Sequence, residues 1–235
     1  MKEKITINWF RQDLRLSDNP ALTAAARYGR VIPIYILDDE NMGEYAMGRA
    51  SRWWLHHSLM SLHKSLHGNL SVYRGKASDV FNDILARFDV TAVCWNRCYE
   101  PWRINQETTI EEYLKAKGIK IHSHNGSLLW EPWEVHKEDK TPYKVFTPFY
   151  RKGCLKAEAP RDPLSTPEGV DYLFDNESVG IKHLGLLPKI DWYSQLEAQW
   201  KIGEEGAHQR FKAFLSEGLP FYKDGRNIPS KPYVS

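Results

Sequence analysis

The chain has 235 residues, of which 42% are hydrophobic, and its formal net charge is +2 at pH 7. This length and hydrophobic content allow one large domain, or one domain and part of another, with a core of normal size. No run of about eighteen apolar residues predicts a membrane span, and the charge is too small to indicate nucleic-acid binding by itself.

The first predicted element is a strand over residues 5–10, where apolar and polar side chains alternate. A helix follows over residues 19–28, since Asp18 or Asn19 can cap it and Pro20 is tolerated in a first turn. A strand that leads into a helix in this way is typical of an α/β protein.

The loop between this strand and helix carries Arg11, Asp13 and Arg15 and contains no glycine. A dinucleotide-binding protein would usually have a glycine-rich turn there, so that phosphate can approach the backbone. The loop therefore argues against an ordinary dinucleotide site. Its charges have two interpretations: they bind an anion, or they form an arginine–aspartate network that braces the loop.

Strands and helices alternate as far as residue 123, which predicts βαβ units and a parallel sheet. Because no second glycine-rich half follows, we expect an α/β fold with a flavodoxin-like (Rossmann-like) five-stranded sheet and helices on both faces. Ligands of such sheets bind beyond the carboxyl ends of the strands, which selects the loops at 10–15, 37–49 and 95–103. The later predicted strands cover residues 31–37, 70–73, 91–95 and 119–123, and the later helices cover 48–66, 77–88 and 103–117.

The periodicity stops beyond residue 125, where the chain becomes rich in Pro, Trp, Lys and Asp. A long stretch of this kind is unusual inside a compact domain, so we interpret it as a connector that wraps the first domain. We divide the chain into an α/β domain (1–128), a connector (129–202) and the start of an incomplete helical domain (203–235). The last part has an apolar stripe without an evident partner, and we expect it to fold back, to pair with another copy or to be disordered. The residues concerned are Phe211, Phe214, Leu215 and Phe221.

Residues 95–103 concentrate flat rings, one acid and two guanidiniums at the predicted ligand edge. Such a cluster suits an aromatic heterocycle, which can stack on rings such as that of Trp102, lie near the Arg103 guanidinium and form hydrogen bonds at its edge with Asn96 and Glu100. The alternative is a rim that packs against the connector.

Three further features have competing interpretations. Glu131 either reaches the same pocket or anchors the connector. The segment 143–151, YKVFTPFYR, mixes basic and aromatic residues that can contact single-stranded nucleic acid, or that clamp the connector to the domain. His63 and His67 have a metal-ligand spacing but no third ligand, and we predict no metal site.

The cysteines indicate a reducing compartment. Cys94, Cys98 and Cys154 form a sparse, odd set that fits reduced thiols better than a disulfide framework. The amino terminus has no long apolar region of the kind found in a secretory signal. We therefore expect a cytoplasmic protein.

Five motifs occur in a fixed order: WFRQDLRLSDNPAL, GRASRWWLHHSL, WNRCYEPW, NGSLLWEPWEV and TPYKVFTPFYR. Together they resemble the N-terminal half of the DNA photolyase/cryptochrome family, and most of all the bacterial cyclobutane pyrimidine dimer photolyases. The resemblance covers essentially the whole chain.

The resemblance implies an N-terminal antenna domain, a connector, and an all-helical domain that carries FAD and the cleft for UV-damaged DNA. In such lyases, excited reduced FAD donates an electron to a pyrimidine dimer flipped out of the duplex, which is physically plausible because a damaged pair unstacks easily. It also implies a monomer that does not bind membranes.

The resemblance places few functional residues of the second domain in this chain. Tyr222 matches a tyrosine that contacts FAD, and Ser235 matches the start of the loop that binds the FAD phosphates. No catalytic residue is assigned, and the isolated chain is expected to be inactive.

The antenna residues implied by the resemblance are Asn96, Glu100, Trp102 and Arg103. Trp102 and Arg103 stand where one folate-binding type has an Asn-Glu pair, and Cys98 stands where deazaflavin-binding members tend to have Asp. The overall motif similarity favours methenyltetrahydrofolate over 8-hydroxy-deazaflavin. Two other functions remain open: a non-catalytic antenna-domain fragment, and a cryptochrome blue-light photoreceptor.

Overall fold

The computed structural model describes residues 4–233. Its centre is a five-stranded sheet in the order β3-β2-β1-β4-β5, and every neighbouring pair is parallel. This confirms the predicted α/β class and the number of strands. The strands are β1 (Ile5–Phe10), β2 (Arg30–Leu37), β3 (Ser71–Arg74), β4 (Val90–Asn96) and β5 (Lys120–His124).

The strand order is that of one half of the doubly wound nucleotide-binding fold, and it differs from the order 2-1-3-4-5 of flavodoxin itself. The strand order reverses between β1 and β4: β2 and β3 are added on one side of β1, and β4 and β5 are added on its other side. Because ligands of open α/β sheets bind where the order reverses, this topology predicts a ligand site beside the loops that follow β1 and β4.

Four helices cover the two faces of the sheet. Side chains of α1 and α2 pack on one face, and side chains of α3 and α4 pack on the other. Their bounds agree with the predicted ones within a few residues, which is the usual uncertainty of helix ends. The helices are α1 (Pro20–Tyr28), α2 (Arg49–Ser65), α3 (Ala77–Arg87) and α4 (Pro101–Ala116).

Local sequence explains where α1 begins. Asn19 is its N-cap, and the Asn19 Oδ1 accepts a hydrogen bond of 3.1 Å from the Leu22 amide. Pro20 follows at the first helical position, where its missing N–H costs nothing. Of the two caps considered from the sequence, Asn19 is therefore the one used.

The connector lies along the edge of the sheet and pairs with both β2 and β3. Leu173 N donates to Val31 O of β2 at 2.8 Å, and Val179 N donates to Val72 O of β3 at 3.0 Å. Asp175 accepts a 2.5 Å hydrogen bond from the Tyr73 hydroxyl. An uncovered edge strand would offer unpaired backbone groups to other chains, so these contacts protect the sheet.

The connector also adds to the core. Ile181, Leu184 and Leu186 are buried beside α2 in the cluster on the α1/α2 face. Further helices among the described residues are α5 (Phe146–Pro148), α6 (Ser194–Gln199), α7 (Glu204–Ala213) and α8 (Tyr222–Gly225). No helix in residues 4–233 has the length and hydropathy that a membrane crossing requires.

Residues 203–235, called the tail, begin against the α/β domain but leave apolar side chains uncovered. The Glu204 Oε2 atom accepts a hydrogen bond of 2.8 Å from the Leu16 amide in the β1–α1 loop. Farther along, Phe211, Leu215 and Phe221 are exposed. The start of the tail thus folds back on the domain, as one of the expected alternatives had it, whereas its apolar stripe lies at the surface.

Candidate functional site

A cavity of about 890 Å³ lies beyond the carboxyl ends of β1 and β4. All three loops selected from the sequence contribute to its lining, through Arg15, Met42 and Trp102 among others. The first three turns of α2 and the start of α7 supply further walls. Its volume is within the range of about 300–1,000 Å³ that is usual for small-molecule sites.

Aromatic and charged groups alternate along one wall. The Arg103 guanidinium lies over the Trp102 ring, 4.4 Å from the ring centroid. Glu100 accepts a hydrogen bond from the Gln12 side-chain amide through Oε1. The Glu100 Oε2 and Arg103 Nε atoms are 3.6 Å apart, and both are buried without a hydrogen-bond partner among the described residues. This wall therefore offers an acceptor and a donor to a ligand.

Other parts of the lining are apolar and aromatic. Tyr35, at the end of β2, and Trp54, on α2, both line the cavity. Burial raises the pKa of Tyr35 far above its usual value, so its phenol stays neutral. Neither residue was predicted at the site from the sequence, because each belongs to a regular apolar pattern that is typical of core residues.

Arg11 forms the floor of the cavity and is held in place by a buried ion pair. Its side chain is only 5% exposed, and its Nη1 lies 2.6 Å from Glu107 Oε1. Its other Nη donates to the Asn96 carbonyl. Glu107 also accepts a 3.1 Å hydrogen bond from the Trp95 indole. These contacts favour the bracing interpretation of Arg11 over anion binding.

Asn96 lies beneath the cavity and does not line it. Its side chain, 2% exposed, donates to Asp13 Oδ2 at 2.6 Å and to Asn19 Oδ1 at 2.8 Å. Its Oδ1 accepts from the Ala21 amide at 3.2 Å. With its donors and acceptor engaged, Asn96 ties β4 to the β1–α1 loop, and the site is built without it. Glu100, Trp102 and Arg103 do line the cavity.

Arg15 and Glu131 also brace the structure. Arg15 donates to the carbonyls of Asp18 and Gly126, both at 2.7 Å. Glu131 accepts from Arg97 and from the Tyr99 hydroxyl at 2.9 Å. Burial, together with the hydrogen bond to Glu131, raises the pKa of Tyr99 to about 12. Glu131 therefore anchors the connector, as one of its two interpretations had it.

Helix α7, which follows the connector, completes the cavity. The cavity lining includes Gly203, Glu204, Ala207 and His208, although these residues lie about 190 residues beyond the β1–α1 loop in sequence. Nothing local in the sequence indicates this contact. It is a consequence of the path of the connector, which returns the chain to the ligand edge of the sheet.

The other candidate residues lie away from the cavity. Tyr222 is 40% exposed and meets Phe214 edge to face at 5.8 Å, whereas Ser235 lies outside the described residues. His63 contacts the Leu70 carbonyl through Nδ1 at 3.3 Å. Within residues 4–233, no group of three or more His, Cys, Asp or Glu side chains is arranged to hold a metal ion.

The basic and aromatic segment 143–151 is largely exposed. Phe146 is 73% exposed and stacks on Tyr150 with a centroid distance of 5.8 Å. Tyr143 instead meets Phe149 at 6.2 Å. These rings contact one another, and both interpretations of the segment, contact with single-stranded nucleic acid and a clamp between connector and domain, stay predictions.

Comparison with known proteins gives a consistent result. A family model described as DNA photolyase matches residues 6–168. A deoxyribodipyrimidine photo-lyase of Agrobacterium fabrum is 36% identical over 242 residues, which cover 100% of this chain and 50% of that protein. Cryptochrome-2 of Arabidopsis thaliana is 41% identical over 159 residues, or 65% of this chain and 26% of that protein.

Solved structures agree. The crystal structure of a bacterial class III photolyase from Agrobacterium tumefaciens superposes with a TM-score of 0.91 at 34% identity, and covers 99% of this chain and 49% of that one. A Synechocystis cryptochrome, at 23% identity and a TM-score of 0.79, shares the fold. The chain spans about half the length of the curated photolyases that it matches.

Proposed function

The chain belongs to the DNA photolyase family, and on that premise we propose that it is the light-harvesting N-terminal portion of a deoxyribodipyrimidine photolyase. The complete protein would repair cyclobutane pyrimidine dimers in UV-damaged DNA with light and reduced FAD. The portion described here would hold an antenna chromophore that absorbs light for the flavin. The electron transfer to DNA would belong to the helical half.

The observation that carries this proposal is the cavity at the ends of β1 and β4. It has aromatic walls at Trp54 and Trp102, and two buried polar atoms, Glu100 Oε2 and Arg103 Nε, that form an ion pair at 3.6 Å but no hydrogen bond among the described residues. A buried polar atom without a hydrogen bond costs about 1–3 kcal/mol when nothing else compensates it. A flat heteroaromatic ligand with polar edges would satisfy these atoms while its faces pack against indole.

We propose methenyltetrahydrofolate as the chromophore, in preference to 8-hydroxy-deazaflavin. Its amino-pyrimidinone edge carries N–H donors that match the Glu100 carboxylate. Bound there, the folate would supply near-UV absorption, and the protein's task is to bind it, orient it and exclude water.

Reconstitution tests the antenna. Purified protein would be titrated with each chromophore and followed by near-UV absorption. Replacement of Trp102 by alanine should weaken folate binding about tenfold, since stacking on an aromatic side chain is worth about 1–3 kcal/mol. Trp133→Ala is the matched control, because Trp133 is 60% exposed and lies outside the cavity. Failure of the wild-type chain to bind either chromophore would refute the antenna.

The isolated chain is expected to lack repair activity. Tyr222 and Ser235 are the only residues in it that we assign to FAD, and two residues are too few to retain a flavin. Blue-light illumination of dimer-containing DNA, with added FAD, should leave the dimers intact. Purified protein should show no stoichiometric flavin bands, and detection of either repair or bound flavin would contradict this expectation.

The second candidate function is a cryptochrome photoreceptor, which the 41% identity to Cryptochrome-2 of Arabidopsis thaliana favours. The same α/β architecture can serve both functions, since fold alone does not decide function. A protein containing this chain and a complete helical half would be assayed for blue-light repair. Retention of flavin without dimer repair would favour the photoreceptor.

A further inference from the structure

Glu204 joins the first turn of α7 to the loop between β1 and α1. Its Oε2 accepts from the Leu16 amide at 2.8 Å, and its Oε1 accepts from the Ser17 amide at 2.9 Å. The Ser17 hydroxyl donates to the same Oε1. One carboxylate thus receives three hydrogen bonds from two consecutive residues that lie far away in sequence.

The electrostatics of Glu204 agree with a charged carboxylate. Burial raises the pKa of Glu204, but the hydrogen bonds from Leu16 and Ser17 outweigh burial and leave that pKa below its usual value. Hydrogen bonds to an ionised acceptor are stronger than neutral ones. The contact is therefore at full strength at neutral pH.

The start of α7 is fixed at a second point. Gly203 has φ of +107°, and a Cβ added there would lie 2.1 Å from Ser61 Oγ on α2. Only glycine allows this approach without displacement of α2. Together, Gly203 and Glu204 hold the helix between α2 and the β1–α1 loop.

This fixed position makes α7 a wall of the cavity. Ala207 and His208 lie one turn after Glu204, and both line the same cavity as Trp102 and Arg103 of α4. The remaining walls come from the α/β domain. The site is thus shared between the α/β domain and a segment that follows the connector.

We propose that Glu204 is a positioning residue for the chromophore site, because it holds residues 203–208 as the wall that closes the cavity. The identity of the chromophore rests on the proposed function, but the contact between α7 and the loop does not. Chromophore binding would then depend on the docking of the carboxyl-terminal segment, so that an antenna is retained only when that segment is in place.

The test is Glu204→Gln, which preserves shape but leaves one of the two amides without an acceptor. Methenyltetrahydrofolate affinity should fall about tenfold, equivalent to about 1.4 kcal/mol. The matched control is Glu205→Gln. Glu205 pairs with Lys201 at 2.6 Å on the exposed side of the same helix and does not line the cavity. The control should bind the chromophore like the wild type.

Two further readouts separate positioning from general loss of stability. At saturating chromophore, the absorption band of Glu204→Gln should shift towards its position in water, whereas a less stable fold would only lower the bound fraction. Amide exchange at Leu16 and Ser17 should accelerate in Glu204→Gln and stay unchanged in Glu205→Gln, with or without chromophore.

The outcomes are distinguishable. If the wild type binds the chromophore, and Glu204→Gln binds it with the same affinity and the same absorption band, the positioning role is overturned. If the wild type binds neither chromophore, the proposed antenna function fails. Amide exchange alone then tests whether Glu204 holds residues 203–208 as a wall of the cavity. Unchanged exchange at Leu16 and Ser17 in Glu204→Gln would overturn the inference in that case too.

Discussion

Replacement of Asn96 by alanine should destabilise the protein by about 3 kcal/mol, because it removes three buried hydrogen bonds at once. The Ala21 amide, in the first turn of α1, would lose its acceptor at a cost of about 1–3 kcal/mol. Asp13 and Asn19 would each lose one donor but keep other partners, for about 0.5–1.5 kcal/mol each. The sum is about 2–6 kcal/mol, and Asn96→Ala should behave as a core mutation.

Urea denaturation, followed by far-UV circular dichroism, measures this loss. The matched control is Asn105→Ala on the exposed side of α4, which should change the free energy of unfolding by less than about 0.5 kcal/mol. A loss below about 1 kcal/mol in Asn96→Ala would refute the bracing role. A large drop in chromophore affinity with unchanged stability would restore the ligand role expected from the sequence.

Three more predictions concern other parts of the fold. Burial opposes ionisation of Asp175, but donors from a phenol and a guanidinium lower its pKa below the usual value. Its stabilising contribution should therefore be present at neutral pH and disappear as the pH falls below about 4, and denaturation of Asp175→Asn should lack this part of the pH dependence. Burial raises the pKa of Cys94 to about 12, so iodoacetamide should modify Cys154 in the native protein and spare Cys94. Mass spectrometry measures the labelling of each cysteine, and equal labelling would contradict this prediction. Gly126→Ala would place a Cβ 2.5 Å from Asn96 Cγ, so the melting temperature should fall. A melting temperature equal to that of the wild type would disprove the close packing.

The fold followed from local patterns in the sequence. Alternation of apolar residues in 5–10 and the cap at Asn19 predicted β1 and the start of α1 correctly. The regular succession of strands and helices then left a parallel sheet as the natural arrangement. The order of the strands did not follow, because it depends on which way each crossover turns and not on any single element.

The site was predicted only in part. Glu100, Trp102 and Arg103 were found because they follow a strand at an expected ligand edge, and the structure places them in the cavity wall. Asn96 has the same sequence signal, but it points into a buried network. The side of a strand end that a polar residue faces depends on its neighbours in space, which sequence spacing does not report.

The sequence by itself determined the fold class, the ends of α1 and one wall of the cavity, since these depend on periodicity, capping and loop chemistry within a few residues. Tertiary structure alone decided that Arg11 and Asn96 brace the floor, and that Glu204 brings a distant helix to the same cavity. The physical reason is that a buried polar group takes whichever partner the packed chain brings within hydrogen-bond distance, and those partners lie 75 to 188 residues away in sequence.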